Sequence, residues 1–209
     1  MNNKKKLLSV FCILTLLVAA LCVGIHSAAL EPGEDGLTEA TARQVSTAEE
    51  LALALMSNGI TYIRITQEID YTIKATAQSM GLFEVAGTKV LLGDYPVTVS
   101  VSGEGAQIRS MFYLDDPTDS LTLHNVGTYT FESNHMADGA VVFVKDGTFN
   151  LEGSKLRGEV IDGLNAGCHA VYVDGGTVNL RSGDLYGTAQ GCRVFWGVLY
   201  VCGGTTTLG

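Results

Sequence analysis

Three aspartates carry the first candidate chemistry. Asp115, Asp146 and Asp174 each stand just after a short apolar run, at similar positions in successive segments of the chain. Carboxylates stacked in that way would hold a calcium ion, which favours several oxygen ligands. Asp before Gly is also good turn chemistry, and Asp146-Gly147 and Asp174-Gly175 have that form. The turn role is the stronger reading, because Cys202 stands where a further aspartate would continue the column. Proton abstraction beside such an ion would also need an Arg or Lys. Lys145 is the only neighbour, and it is adjacent in sequence rather than one segment away.

A second candidate set is aromatic. Tyr113, Phe143, Tyr172 and Tyr200 are the middle residues of Phe112-Tyr113-Leu114, Val142-Phe143-Val144, Val171-Tyr172-Val173 and Leu199-Tyr200-Val201. Alternation along a strand turns the middle residue away from its neighbours, so the four would form one outward column. Aromatic faces on a flat sheet stack against sugar rings, which would make a glycan-binding strip. Mutual stacking that stabilises the sheet, or burial beneath further chain, is the alternative. Cys168 and Cys192 each follow a glycine and precede one of these triplets, a placement compatible with a disulfide if the segments lie side by side. Buried unpaired cysteines fit as well, and the cysteine spacing matches no zinc pattern. His124, His135 and His169 share no repeat phase and no Ser or Cys partner, so they read as isolated surface histidines and no catalytic residue is assigned.

The elements that must position these residues follow from a repeat. Thr148-Phe149-Asn150-Leu151 recurs as Thr177-Val178-Asn179-Leu180 and Thr205-Thr206-Thr207-Leu208, with Ser120-Leu121-Thr122-Leu123 upstream at offsets of 28, 29 and 28 residues. Gly87-Thr88-Lys89-Val90-Leu91 reads as a degenerate earlier copy. The aromatic triplets keep the same phase, Asp115-Asp116-Pro117 lengthening one turn by two residues. Two motifs in register at this period imply short strands stacked on their own copies, about 4.8 Å apart. No two-residue hairpin joins long alternating arms, and no helix-length segment separates the strands, so neither a β-meander nor a βαβ layout fits. Val142, Val144, Val171, Val173, Leu199 and Val201 should then face the interior, with Phe149, Leu151, Val178 and Leu180, while Asn150 and Asn179 face out. Upstream, Thr47 and Glu50 form a capping box that opens a helix over 48–57 with Leu51 and Leu55 on one face, and Asn58-Gly59 closes it. That helix is placed to cap the N-terminal end of the stack, with coils from about residue 60.

Gly139–Leu151 and Ala170–Leu180, read as whole motifs, resemble the right-handed parallel β-helix repeats of the pectate-lyase-like superfamily found in many bacterial surface proteins. The resemblance covers residues 45–209. It implies an all-β, right-handed parallel β-helix with an N-terminal capping α-helix. For activity it is a poor guide, since this fold hosts lyases, hydrolases, adhesins and inert stalks alike. A calcium cofactor is implied only by the lyase alternative. The segment Cys192-Arg193-Val194-Phe195-Trp196-Gly197 departs from the pattern, and the chain stops within a repeat at Gly209, as a truncated piece of a longer protein would.

Lys4, Lys5 and Lys6, the uncharged run from Leu7 to Val23 and the small residues Ser27-Ala28-Ala29 make a three-part secretory signal over residues 1–29. Residues 30–44 are acidic and aperiodic and read as a flexible spacer. Removing residues 1–29 takes away three lysines and no acids, so a net charge of −9 becomes −12. Such a surface excludes nucleic acid as a partner, which requires cationic patches. Membrane contact is expected only through an uncleaved signal segment or an anchor beyond Gly209. The expectation is a secreted or surface-exposed β-helix, non-catalytic, that mediates adhesion or contacts a polysaccharide or a host cell-surface glycan. A polysaccharide lyase or glycoside hydrolase is the second reading and a structural stalk the third. Hydrolysis would want two carboxylates facing each other across a cleft, and no opposing pair stands out in the sequence.

Overall fold

A computed structural model describes residues 35–73, 78–102, 107–125, 127–133, 139–160, 166–190 and 197–209. The signal segment, the start of the spacer, His135 and Cys192 lie outside these residues. Strand β1 (Arg43–Val45) and helix α1 (Ala48–Met56) come first, then β2 (Tyr62–Ile65), β3 (Ile69–Ile73), β4 (Gln78–Ser79) and β5 (Phe83–Glu84). They are followed by β6 (Thr88–Leu92), β7 (Val97–Val101), β8 (Gln107–Ile108) and β9 (Ser110–Leu114). Next are β10 (Ser120–His124), β11 (Thr128–Ser133), β12 (Gly139–Val144), β13 (Thr148–Val160) and β14 (Ala166–Val173). The chain closes with β15 (Thr177–Gln190), β16 (Leu199–Val201) and β17 (Thr205–Leu208).

These strands wind into a parallel β-solenoid of about four turns. Face one stacks β1, β2, β6, β10, the first half of β13, the first half of β15 and β17. Face two stacks β3, β7, β11 and the second halves of β13 and β15. Face three stacks β5, β9, β12, β14 and β16. The repeat sets the register: Thr148 pairs with Thr177 and Leu151 with Leu180, and Thr205 and Leu208 continue both files. The degenerate copy is in step too, with Thr88 beside Ser120 and Leu91 beside Leu123. One pairing breaks the parallel scheme. The start of β14 (Ala166–Cys168) runs antiparallel to the end of β15 (Thr188–Gln190), because β15 continues past face two.

The inward files form one core. Ile63, Leu91, Leu123, Leu151 and Leu180 stack on face one, and Val142, Val144, Val171 and Val173 are fully buried on face three. Burying each such side chain stabilises by about 1.5–3 kcal/mol, an upper bound. Leu199 is half-buried and Val201 exposed, since they stack on one side only among the described residues.

Helix α1 caps this core with Ala48, Leu51, Ala54 and Leu55, all buried. Its N-terminus is capped as the sequence implies, Thr47 Oγ1 accepting from the Glu50 amide at 3.2 Å. Glu50 reaches one residue further back than a reciprocal box would, and accepts from the amide of Ser46 at 2.7 Å. The expected left-handed closure at Gly59 does not occur: the helix ends at Ser57 in an extended conformation. The Ser57 carbonyl accepts from the Ile60 amide at 3.2 Å, and Lys89 adds a second donor. Its ammonium, 1% exposed, donates to the carbonyls of Ser57 and Ile60, the second at 2.5 Å. A cation on the last carbonyls of a helix also complements its dipole. The acidic stretch read as a spacer up to Gln44 is structured from Asp35 onward. Asp35 accepts from Thr41 Oγ1 at 2.5 Å, and Arg43–Val45 pairs with β2.

Candidate functional site

The aromatic triplets meet on face three in the register their phase implies. Tyr113 pairs with Phe143, Phe143 with Tyr172 and Tyr172 with Tyr200. Their ring centroids lie 5.5, 4.7 and 4.9 Å apart, within the range of favourable aromatic pairs. The column is less open than alternation alone implies. Tyr113 is 8% and Phe143 5% exposed, with the Arg109 guanidinium 5.7 Å above the Phe143 ring. Burial also raises the Tyr113 hydroxyl pKa, with nearby Asp115 adding to the rise. Tyr172 and Tyr200 are half-buried, and His169 stacks on Tyr200 at 5.5 Å. Two rings out of four are therefore accessible to a ligand.

The aspartates do not form one column. Stacking places Leu114, Val144, Val173 and Val201 beside one another, so the next residues in line are Asp115, Lys145, Asp174 and Cys202. Asp146 sits one position further on, because β12 and β14 are followed by turns whose aspartates fall at different steps. Lys145 lies across a coil from Asp115 at 4.0 Å, not merely beside it in sequence. Asp146 serves its own turn, accepting from the Gly147 amide at 2.8 Å. Cys168 is a free thiol pointing into the core, its pKa raised by burial, while Cys192 lies outside the described residues.

Two histidines depart from the isolated surface role. His169 is 1% exposed and its Nδ1 lies 2.5 Å from the Gly197 carbonyl. His124 is exposed but partnered: its Nδ1 lies 2.7 Å from Glu152 Oε2, one coil away. The other oxygen of Glu152 accepts from Arg181 Nη1 at 2.6 Å, a further coil along. These three residues wall a groove of about 380 Å³ that crosses face one. Its floor is Tyr62, Val90, Leu92, Thr122 and Asn150, taken from β2, β6, β10 and β13. Asn179 donates to Asn150 Oδ1 at 2.9 Å, and Asn150 Nδ2 donates to Thr122 Oγ1 at 3.1 Å. The outward asparagines of the repeat thus form a directional ladder, each amide polarising the next.

Glu39 closes the groove at its N-terminal end. The Gly36 carbonyl accepts from the amides of Thr61 and Tyr62 at 2.9 and 2.8 Å, which clasps the Asp35–Ala42 turn onto β2. Glu39 then faces Arg64 at 4.0 Å. Two carboxylates, Glu39 and Glu152, therefore line one groove where the sequence offered no opposing pair. A signal for this site was present: His124, Glu152 and Arg181 each follow the leucine that ends the repeat motif. Among the described residues, no group of three His, Cys, Asp or Glu side chains is arranged to hold a metal ion. No family model, curated protein or solved structure matches the chain.

Proposed function

We propose that the chain is an exported protein of the pectate-lyase-like kind, secreted or held at a bacterial-type cell surface, whose solenoid makes a non-catalytic adhesive contact with a glycan. The groove on face one is the observation that carries this reading. It joins an aromatic and aliphatic floor to a row of hydroxyl, amide, carboxylate and guanidinium groups, the mixture that an amphipathic sugar ring requires. Tyr172 and Tyr200 on face three offer a second stacking surface. Binding of the full chain to an immobilised panel of plant, microbial and host glycans tests the reading. Retention that Tyr62→Ala and Asn150→Ala both weaken supports it, and uniform failure to bind leaves the stalk reading. Export is checked by the N-terminus of the released protein, expected at Leu30.

A lyase or hydrolase is the second reading, favoured by Glu39 and Glu152 sharing the groove. Against it, both oxygens of Glu152 are engaged, by His124 and Arg181. Release of unsaturated or reducing-end products, assayed with and without calcium, would establish that reading, and loss of release in Glu152→Gln would place it here.

A further inference from the structure

The groove's charges identify the class of glycan. Arg181 is held by Glu152 at 2.6 Å, His124 faces the same carboxylate at 2.7 Å, and Arg64 at the rim faces Glu39 at 4.0 Å. Both arginines at the groove therefore already have a carboxylate opposite them. A uronate carboxylate or a sulfate ester would have to displace one of these pairings and sit beside Glu39 and Glu152 on a chain of net charge −9. Like charges at such distances repel, and the chain's overall field opposes the approach of any polyanion.

The uncharged groups fit hydroxyls instead. Asn150 donates one amide hydrogen to Thr122 and accepts one bond from Asn179, so one donor and one acceptor site remain. Thr122 accepts from Asn150 and keeps its hydroxyl hydrogen for a ligand oxygen. A neighbouring pair of sugar hydroxyls, each donor and acceptor at once, matches this pattern. At the other end, the Tyr62 ring, Val90 and Leu92 provide a largely apolar floor for a ring face, the Tyr62 hydroxyl being its one polar side-chain group. Lining residues come from β2 to β15, five neighbouring strands, so the groove runs along the stack for about 19 Å at ordinary strand spacing.

We infer that this groove takes a neutral oligosaccharide, free of carboxylate and sulfate, laid across the strands with its ring faces on Tyr62 and its hydroxyls on Thr122, Asn150 and Glu152. The inference rests on the glycan reading above and narrows it. Titration calorimetry of the full chain with linear glucan, galactan and mannan hexamers, oligogalacturonate and a sulfated galactan tests it. At least one neutral oligomer should bind, with a Kd that moves less than about 2-fold between low and high salt. Asn150→Ala should weaken it by about 10-fold. Glu152→Gln frees Arg181 and His124 and should improve oligogalacturonate binding while weakening the neutral ligand. Arg181→Gln, at an exposed position, gives a charge change in the opposite sense without touching the floor. Tighter binding of oligogalacturonate or sulfated galactan by the wild-type chain overturns the neutral assignment and leaves glycan contact standing. Binding of none of the five overturns both.

Discussion

Lys89 occupies a position that its stacked neighbours fill with apolar side chains. It pairs with Leu121, and Phe149 and Val178 extend the file. An ammonium is accommodated there because it donates to the carbonyls of Ser57 and Ile60, at and just past the end of α1. Lys89→Met keeps the volume and removes both bonds, so it should destabilise by about 1–3 kcal/mol in urea unfolding. The pH dependence has a definite sign. Burial lowers the Lys89 pKa, partly offset by Asp119, so between the folded and ordinary values the unfolded chain binds more protons. Stability from this residue rises with pH through that window. The wild type should therefore gain on Lys89→Met as pH increases from neutrality towards about 10. Tyr129 acts in the opposite direction. Burial raises its hydroxyl pKa, and the Asn125 amide donates to it at 2.9 Å. Its contribution is intact below the ordinary tyrosine value and is lost at higher pH. Tyr129→Phe should make the alkaline fall in the urea midpoint shallower.

At the scale of elements, turns decide the register. Gly147 and Gly176 have φ of +79° and +65°, where only glycine is unstrained. A Cβ on Gly176 would also meet the Gly147 carbonyl oxygen at 2.5 Å. Gly176→Ala should cost at least about 1–2 kcal/mol, seen as a lower thermal midpoint, even though the residue touches no core side chain. The same turns explain which features were legible beforehand. The Thr-x-x-Leu frames and aromatic triplets recur at nearly constant intervals, so their stacking followed from sequence, as did α1 from Thr47, Glu50, Leu51 and Leu55. Asp146 was misplaced because a one-residue difference in its turn moves it out of file. His124, Glu152 and Arg181 differ in type, so no repeat of identity marks them. Their shared phase after each leucine becomes meaningful only when three coils lie side by side. Glu39 was beyond reach, because the Gly36 carbonyl that clasps its turn has no counterpart in the repeat.

For the whole molecule, protection should follow position in the stack. β10 and the first half of β13 have a strand on each side, whereas β16 and β17 pair on one side only among the described residues, and Leu208 is 71% exposed. Amide exchange should begin in β16 and β17, followed by the second half of β15, and reach β10 last. Leu55→Ala would open the opposite end. Lost burial plus a cavity beneath α1 should cost about 2–5 kcal/mol, and exchange in β2 and β5 should accelerate before that in β12. Uniform exchange across all strands would instead mean that the stack opens as one cooperative body.

The one-coil spacing of the parallel ladder contacts also bears on how the molecule would carry load. Tension applied along the stack by a tethered surface and a gripped ligand meets the coils in series, with no strand pairing among the described residues that ties the first coil to the last. Failure would then proceed coil by coil, each rupture paying out some 28 residues, or about 95 Å of chain. A contact that lengthens in such increments dissipates a sudden pull without releasing what it holds.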